Sequence, residues 1–233
     1  MVLLTADTLV EDEDNWRFAE EVVARLGCEW VRLTHGRTPM QVGRDVRVVP
    51  NDRMAVCSRI LKRELLDKYQ TAHYDPADSI IYLGFDWTEQ HRLAASLPHW
   101  APWTVKAPLM DPPYLFKPQL LDLFRERGIE PPRLYSYGFG HANCGGACVR
   151  GGQAQWSLLL TVNRPRYLEW EADEELTRQL LEKDVSILHD RAGGGPRRPL
   201  TLAAFRERIE RQPSLFDADD WGACGCFMAD AAT

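Results

Sequence analysis

The stretch VLLTADTLVEDEDNWRFAEEVVARLGCEWVRL, residues 2–33, decides the fold. Val2 to Thr5 is a short apolar run that gives way to Ala6-Asp7-Thr8, the pattern of a buried strand ending in a polar turn. From Asp12 onward, Trp16, Ala19, Val23 and Leu26 fall on one helical face, with acids in the first turn and Gly27 at the stop. Glu29 to Leu33 alternates as a second strand, Met54 to Tyr69 carries Ile60, Leu61 and Leu65 at helical spacing, and Ser79 to Leu83 reads as a third strand running into Gly84. Strand, helix, strand, helix, strand predicts a parallel sheet with crossover helices. The expected class is therefore α/β.

Beyond Trp103 the character changes. Pro108, Pro112, Pro113, Pro118, Pro131 and Pro132 separate short elements, a helix is expected from about Gln119 to Arg127, and Gly138 to Gly152 is too glycine-rich for regular structure. Helices are expected over Gln153 to Val162 and Leu168 to Leu188, then a break at Gly193-Gly194-Gly195-Pro196 and a helix capped by Thr201 that runs to Arg211. This divides the chain into an α/β core over 1–110 and a helical, cysteine-bearing region over 111–233.

Composition narrows the class further. The 28 Lys and Arg against 34 Asp and Glu leave a net charge of −6, which argues against non-specific nucleic-acid binding, although a local basic pocket such as Arg59, Lys62 and Arg63 is compatible with it. The start of the chain, MVLLTADT, lacks the basic lead and long apolar run of a signal peptide, and no apolar stretch approaches the length needed to span a bilayer. The cytoplasm is the expected location.

Five of the six cysteines fall in three distant groups: Cys57 in a basic helix, Cys144 and Cys148 in the glycine-rich loop, and Cys224 and Cys226 near the C-terminus. Thiols so grouped in a protein without an export signal point to metal, cluster or catalytic ligands rather than disulfides. In HANCGGAC, residues 141–148, glycines let the backbone approach a bound group, and two thiols four apart can ligate one metal. Two cysteines do not complete a site, so Cys57, Cys224 and Cys226, with His141 behind them, are the further candidates. Nearby positive charge on Arg59 and Lys62 would lower the Cys57 thiol pKa or hold a phosphate. Asp7 and Thr8 lie where ligands of open parallel sheets bind, or else form a helix-capping turn. Glu89 and Arg92 sit one turn apart after the third strand, with Thr88 as the expected cap.

Taken in order, ADTLVEDEDNWRF (6–18), CSRILKREL (57–65), IYLGFDWTEQHR (81–92), GFGHANCGGACVRGG (138–152) and GACGCF (222–227) resemble the phosphoadenosine phosphosulfate reductase family of the PP-loop, or adenine nucleotide alpha hydrolase-like, superfamily, in its phage and bacterial form. The resemblance implies a Rossmann-like, mostly parallel sheet that binds an adenine nucleotide, ATP or a phosphosulfate relative, at its strand ends. It implies Asp7 and Thr8 beside the nucleoside, Arg59 and Lys62 along the phosphates, and Glu89 and Arg92 as a Glu-x-x-Arg element. It also implies Cys57, Cys144 and Cys148 as ligands of a 4Fe-4S cluster, joined by Cys224, and a tail thiol at Cys224 or Cys226 as the reacting group. Its partners would be a thiol reductant protein and a second copy in a homodimer; nucleic acid is disfavoured, although tRNA-modifying relatives exist.

Two departures from the family pattern bear on function. The Ser-Gly-Gly-x-Asp-Ser phosphate loop has no match, and Met1 falls where the family's second strand begins, which implies a misassigned start, a truncated gene or a loop supplied by another chain. The tail reads Ala223-Cys224-Gly225-Cys226-Phe227 in place of the family's Glu-Cys-Gly-x-His element. The expected function is reductive or sulfur-transfer chemistry on a phosphosulfate or adenylylated substrate. The alternatives are a non-catalytic module stapled by zinc through Cys144, Cys148, Cys224 and Cys226, and a degenerate relative that binds a partner protein.

Overall fold

The first strand, β1 (Val2–Asp7), enters a helix, α1 (Glu13–Leu26), whose ends are fixed by local chemistry. Asp12 caps it by accepting from the Asp14 backbone N–H, and Gly27 closes it with φ +59. That left-handed turn costs a residue without a Cβ almost nothing. The chain returns through β2 (Glu29–Thr34), which pairs with β1 in parallel from Val2 opposite Glu29 to Asp7 opposite Thr34. This computed structural model describes residues 1–190 and 196–222, so the expected break at Gly193–Gly195 and the cysteines Cys224 and Cys226 lie outside the described residues.

A short helix, α2 (Pro39–Asp45), follows, started by a Thr38 and Gln41 capping box. The helix expected from Met54 begins later, as a π-helical turn over Ser58–Arg63 that continues into α3 (Glu64–His73). Next come β3 (Ile80–Tyr82), α4 (Gln90–Trp100) and β4 (Thr104–Lys106). The strands β3 and β4 pair in parallel, Ile81 opposite Val105. Thr88 was the expected cap of the helix after β3. Asp86 takes that role instead, because its carboxylate accepts the Thr88 N–H while Glu89 reaches back to the Asp86 N–H.

The helices α5 (Lys117–Glu126) and α6 (Arg133–Ser136) lead into the glycine-rich loop. Pro118 in the first turn moves the start of α5 two residues ahead of the expected Gln119. The helix α7 (Gln153–Val162) falls where the apolar pattern places it, and α8 (Arg164–Leu181) starts at Asn163, whose side chain accepts the Arg166 N–H. The expected continuation of α8 to Leu188 is wrong: Glu182 turns left-handed at φ +52, and Leu188 opens β5 (Leu188–Asp190). That strand pairs antiparallel with β6 (Arg198–Leu200), and α9 (Leu202–Arg211) begins at the Thr201 cap.

The protein is therefore mixed α/β, and among the described residues there are two small parallel sheets, β1 with β2 and β3 with β4, and one antiparallel pair, β5 with β6. The core lies under α7, α8 and α9. Trp156 is fully buried, with its ring edge-on to Tyr167 (5.8 Å, 81°) and Trp170 (5.8 Å, 70°), and Phe205, Leu202, Leu159 and Leu61 belong to the same buried cluster. Burying an indole of this size contributes roughly 4–6 kcal/mol of apolar transfer. Polar bonds then fix α1 against the segment ahead of the glycine-rich loop. Arg133 pairs with Asp12 at 3.0 Å, its N–H donates to Asp14 at 2.6 Å, and Arg17 donates to the Glu130 carbonyl at 2.9 Å. Among the described residues, no helix is long and apolar enough to cross a membrane.

Candidate functional site

An open cleft of about 800 Å³ separates the two parallel sheets. Leu4, Thr5 and Ala6 of β1 form part of one wall, and Leu83, Gly84 and Phe85, which run out of β3, form part of the other. The residues that follow the two strands meet at one end. Trp87, after β3, packs its ring edge-on to Phe116 at 4.9 Å. Lys117 then donates to the Gly140 carbonyl at 2.8 Å, and the loop beyond Gly140 is bound by Glu11 and Asn15, after β1. This end carries Lys62, Arg92 and Lys117 as cations and Glu11, Asp86 and Glu89 as acids, with His141 and Asn143 beside them. Ligands of parallel sheets bind beyond the carboxyl ends of the strands, which is the end where these groups gather.

Glu11 organises that end. Its carboxylate accepts the Cys144 N–H at 2.6 Å and the Thr8 hydroxyl at 3.1 Å, and it lies 3.6 Å from the Lys62 ammonium. The two side chains of the ion pair are 7% and 12% exposed, so water screens the pair little. Asn15, one helical turn on, donates to the Ala142 carbonyl at 2.7 Å. These bonds clamp the cysteine loop to the end of β1.

The loop itself is unusual backbone. Cys144, Gly145 and Gly146 are left-handed in succession, with φ of +53, +57 and +84. The sequence suggests that the glycines admit a bound group. In the structure, their space is taken by the protein: a Cβ on Gly145 would lie 2.4 Å from the Arg166 guanidinium, and one on Gly146 would lie 2.8 Å from the Phe139 ring. Arg166 uses this approach to donate to the Cys144 carbonyl at 3.1 Å and to the Val10 carbonyl.

Beneath the loop, Cys57, Cys144 and Cys148 line one small pocket together with Thr8, Lys62 and Arg150. All three thiols are buried. The Cys144 thiol is pushed well above its ordinary pKa, first by its hydrogen bond to Cys148, then by burial and by the nearby Glu11 charge, with Lys62 opposing. Cys144 therefore carries its proton at neutral pH. Thiolate donors suit zinc, iron or an iron–sulfur cluster chemically. The pocket they line, about 10 Å³, has the room of a single water, so a cubane requires it to widen. Among the described residues, no three His, Cys, Asp or Glu side chains converge closely enough to hold a metal ion.

The sequence-expected residues thus separate into three groups. Lys62, Glu89 and Arg92 line the cleft, the last two as an ion pair one turn apart. Cys57, Cys144, Cys148 and Thr8 line the thiol pocket. Asp7 and Arg59 line neither: Asp7 accepts Arg32 at 2.6 Å and the Leu9 N–H at 2.7 Å, and Arg59 faces outward toward Glu64 at 2.7 Å. Cys224 and Cys226 lie outside the described residues, two and four positions after Gly222, which is bridged to Gly151.

No protein-family model, curated protein or solved structure matches this chain.

Sequence reasoning missed Glu11, Asn15, Asp86 and Lys117. Glu11 carries a readable sign, because Thr8-x-x-Glu11 is the spacing of a capping pair, but its bond to Cys144 spans 133 positions and leaves no local trace.

Proposed function

We propose that this chain is an enzyme of the phosphoadenosine phosphosulfate reductase type, with a Rossmann-like arrangement of its parallel strands. It binds an adenine nucleotide at the charged end of the cleft and carries out reductive or sulfur-transfer chemistry there. The observation that carries this reading is the meeting of Lys62, Arg92 and Lys117 beyond the carboxyl ends of β1 and β3. Three cations around one concave site supply the charge-assisted donors that phosphate or sulfate oxygens require. Phe85, Leu109, Leu120 and Tyr135, which line the same cleft, offer an apolar surface for the base. Asp7 pairs with Arg32 outside the cleft lining, so this reading gives it no contact with the nucleoside.

In the chemistry this reading assigns, a thiolate of Cys224 or Cys226 attacks the sulfur of the phosphosulfate. The S–O bond to the nucleotide breaks, and the nucleotide phosphate leaves with the electron pair. The second tail thiol, deprotonated, then attacks the resulting S-sulfocysteine at its cysteine sulfur. A disulfide forms, sulfite leaves with the bonding pair, and a thiol reductant protein restores both thiols. Arg92 and Lys117 neutralise the departing phosphate charge. The thiols Cys57, Cys144 and Cys148 would hold a metal ion or cluster, which thiolate ligands leave without net positive charge, so such a group would staple the glycine-rich loop. Because Cys144 must lose its proton to bind metal, affinity rises with pH.

Calorimetric titration with ATP and with adenosine 3′-phosphate 5′-phosphosulfate tests the nucleotide site. Micromolar binding, weakened at least tenfold by Arg92→Ala and by Lys117→Ala, is expected; no binding at millimolar nucleotide overturns the reading. Sulfite release that survives the Cys224→Ser/Cys226→Ser double variant would remove the tail thiols from the mechanism. The water-sized thiol pocket favours one second reading, a structural zinc site. Zinc at one per chain, with no iron or acid-labile sulfide and no nucleotide affinity, is the result that selects it.

A further inference from the structure

Building on the nucleotide reading of the cleft, we propose that Gln155 and Trp221 complete the subsite for the base, and that the Gln155 side-chain oxygen selects a base with an exocyclic amino group, adenine over its 6-oxo counterpart hypoxanthine. Gln155 sits in the first turn of α7, lines the cleft and is only 3% exposed. Its Nε2 donates to the Gly146 carbonyl at 2.8 Å. A carbonyl only accepts, so this bond fixes which end of the amide is nitrogen and leaves Oε1 as an acceptor. Among the described residues, no group donates to that oxygen.

The amide is held from a second side as well. A Cβ on Gly151 would lie 2.7 Å from the Gln155 carboxamide, so the close approach depends on that glycine. Gly151 is also bridged to Gly222, which places Trp221 next to the same point. The backbone ahead of Trp221 is pinned to the start of α7: the Asp220 carboxylate accepts the Gln153 N–H at 3.1 Å, and the Asp220 carbonyl accepts the Ala154 N–H at 2.9 Å. Trp221 lines the cleft and stays 45% exposed. An indole kept half-exposed on a backbone fixed before and after it offers apolar ring surface to a planar ligand.

The chemistry of the ligand follows from these two residues. A buried acceptor left without a donor carries a desolvation cost that a neutral N–H group recovers on binding. The 6-amino group of adenine is such a donor, and the planar ring that bears it suits an indole. Hypoxanthine puts a carbonyl oxygen in the same place, so two acceptors would face each other. A site built around one hydrogen bond rejects the analogue that cannot make it far better than an apolar pocket does. Lys62, Arg92 and Lys117 line the same cleft of about 800 Å³, so one nucleotide can meet the cations with its phosphates and Gln155 with its base.

Calorimetric titration of the full chain with ATP, inosine triphosphate and inorganic tripolyphosphate tests it. The parent should bind ATP tighter than inosine triphosphate by about tenfold or more, and Gln155→Met should bring the two within about twofold of each other by weakening ATP alone. Trp221→Leu should weaken both nucleotides by about tenfold and leave tripolyphosphate unchanged. Equal affinity of the parent for the two nucleotides overturns the proposal without recourse to any variant. A preference that Gln155→Met leaves intact also overturns it, even if that variant weakens both nucleotides, because the loss is then structural. Trp221→Leu overturns the stacking role if the nucleotide affinities do not change or if tripolyphosphate falls with them. No binding of any nucleotide defeats the nucleotide reading itself, whereas ATP binding without discrimination defeats this assignment alone.

Discussion

Replacing Glu11 by glutamine removes one charge from the pair that joins β1, the π-helical turn and the cysteine loop, and its cost can be worked from the geometry. At 3.6 Å from Lys62, with an effective dielectric of about 20, the attraction is on the order of 4–5 kcal/mol. Desolvation offsets most of that while both partners are present. With one removed, the buried ammonium stays uncompensated, which costs roughly 3–5 kcal/mol. The Cys144 N–H also exchanges a charged acceptor for a neutral one, while glutamine keeps one oxygen for it. We therefore expect Glu11→Gln to lose about 3 kcal/mol, a fall in Tm of roughly 6–12 °C for a chain of this size. Lys62→Met alone should also destabilise, and the double variant should recover part of the loss, with a coupling of about 1–3 kcal/mol. Urea unfolding followed by tryptophan fluorescence and far-UV circular dichroism measures all three. A single Glu11→Gln variant within about 0.5 kcal/mol of the parent, or strict additivity in the double, would refute the claim that this pair clamps the site.

Three further outcomes follow from the core and the loop. Burial lifts the Glu174 carboxyl from 4.5 to about 7 despite two backbone N–H bonds from Ile187 and Leu202, so its contribution to stability is complete below pH 4.5 and is lost as pH rises through 7; the Tm difference between the parent and Glu174→Gln, scanned by calorimetry over that window, should move in favour of the variant by the equivalent of up to about 3 kcal/mol. Trp156 is fully buried but its indole N–H has no hydrogen-bond partner among the described residues, whereas the Tyr167 hydroxyl donates to the Leu202 carbonyl at 2.7 Å; Trp156→Ala should cost about 3–5 kcal/mol by urea titration, and Tyr167→Phe about 1–3 kcal/mol for the hydrogen bond alone. Gly146→Ala forces a left-handed alanine against the Phe139 ring and should lower stability by about 1–3 kcal/mol while raising the rate at which Cys144 and Cys148 are alkylated; an unchanged alkylation rate would show that the loop does not hold the thiols.

How much of this was legible in the sequence depends on the range of the interaction that fixes each element. Asp12 with Gly27, Thr201, and the apolar run from Gln153 to Val162 carry their own start, stop or pattern, and the structure places α1, α9 and α7 accordingly. The three-residue strands β4, β5 and β6 have no such local mark, since a strand that short exists only through its partner: Thr104 to Lys106 is defined by Ile80 to Tyr82 across an intervening helix. The α8 terminus was misjudged for a related reason. Ser186, Ile187 and Leu188 continue an apolar pattern, but Glu174 accepts the Ile187 N–H and the Ser186 hydroxyl donates to the Leu188 carbonyl, so the backbone leaves the helix to meet side chains from α8 and its own turn.

The site divides along the same line. The thiols, Lys62, Glu89 and Arg92 are chemically conspicuous residue types and were named from type and spacing alone. Glu11, Asn15 and Arg166 are common surface residues by type, and only their distant partners, the Cys144 N–H, the Ala142 carbonyl and the Cys144 carbonyl, give them a role. Spacing also misassigned the glycines. Gly145 and Gly146 are small because Arg166 and Phe139 lie against them, which makes this loop a buttressed wall between the thiol pocket and the cleft. Asn143 lines the cleft while Cys144, the next residue, lines the thiol pocket. A change in charge at one is therefore felt at the other through Lys62, which borders both. Phosphate drawn to Lys62 from the cleft side would weaken its hold on Glu11, which loosens the clamp on the Cys144 N–H. Nucleotide added to the chain should then speed alkylation of Cys144 in the parent and leave the rate unchanged in Lys62→Met.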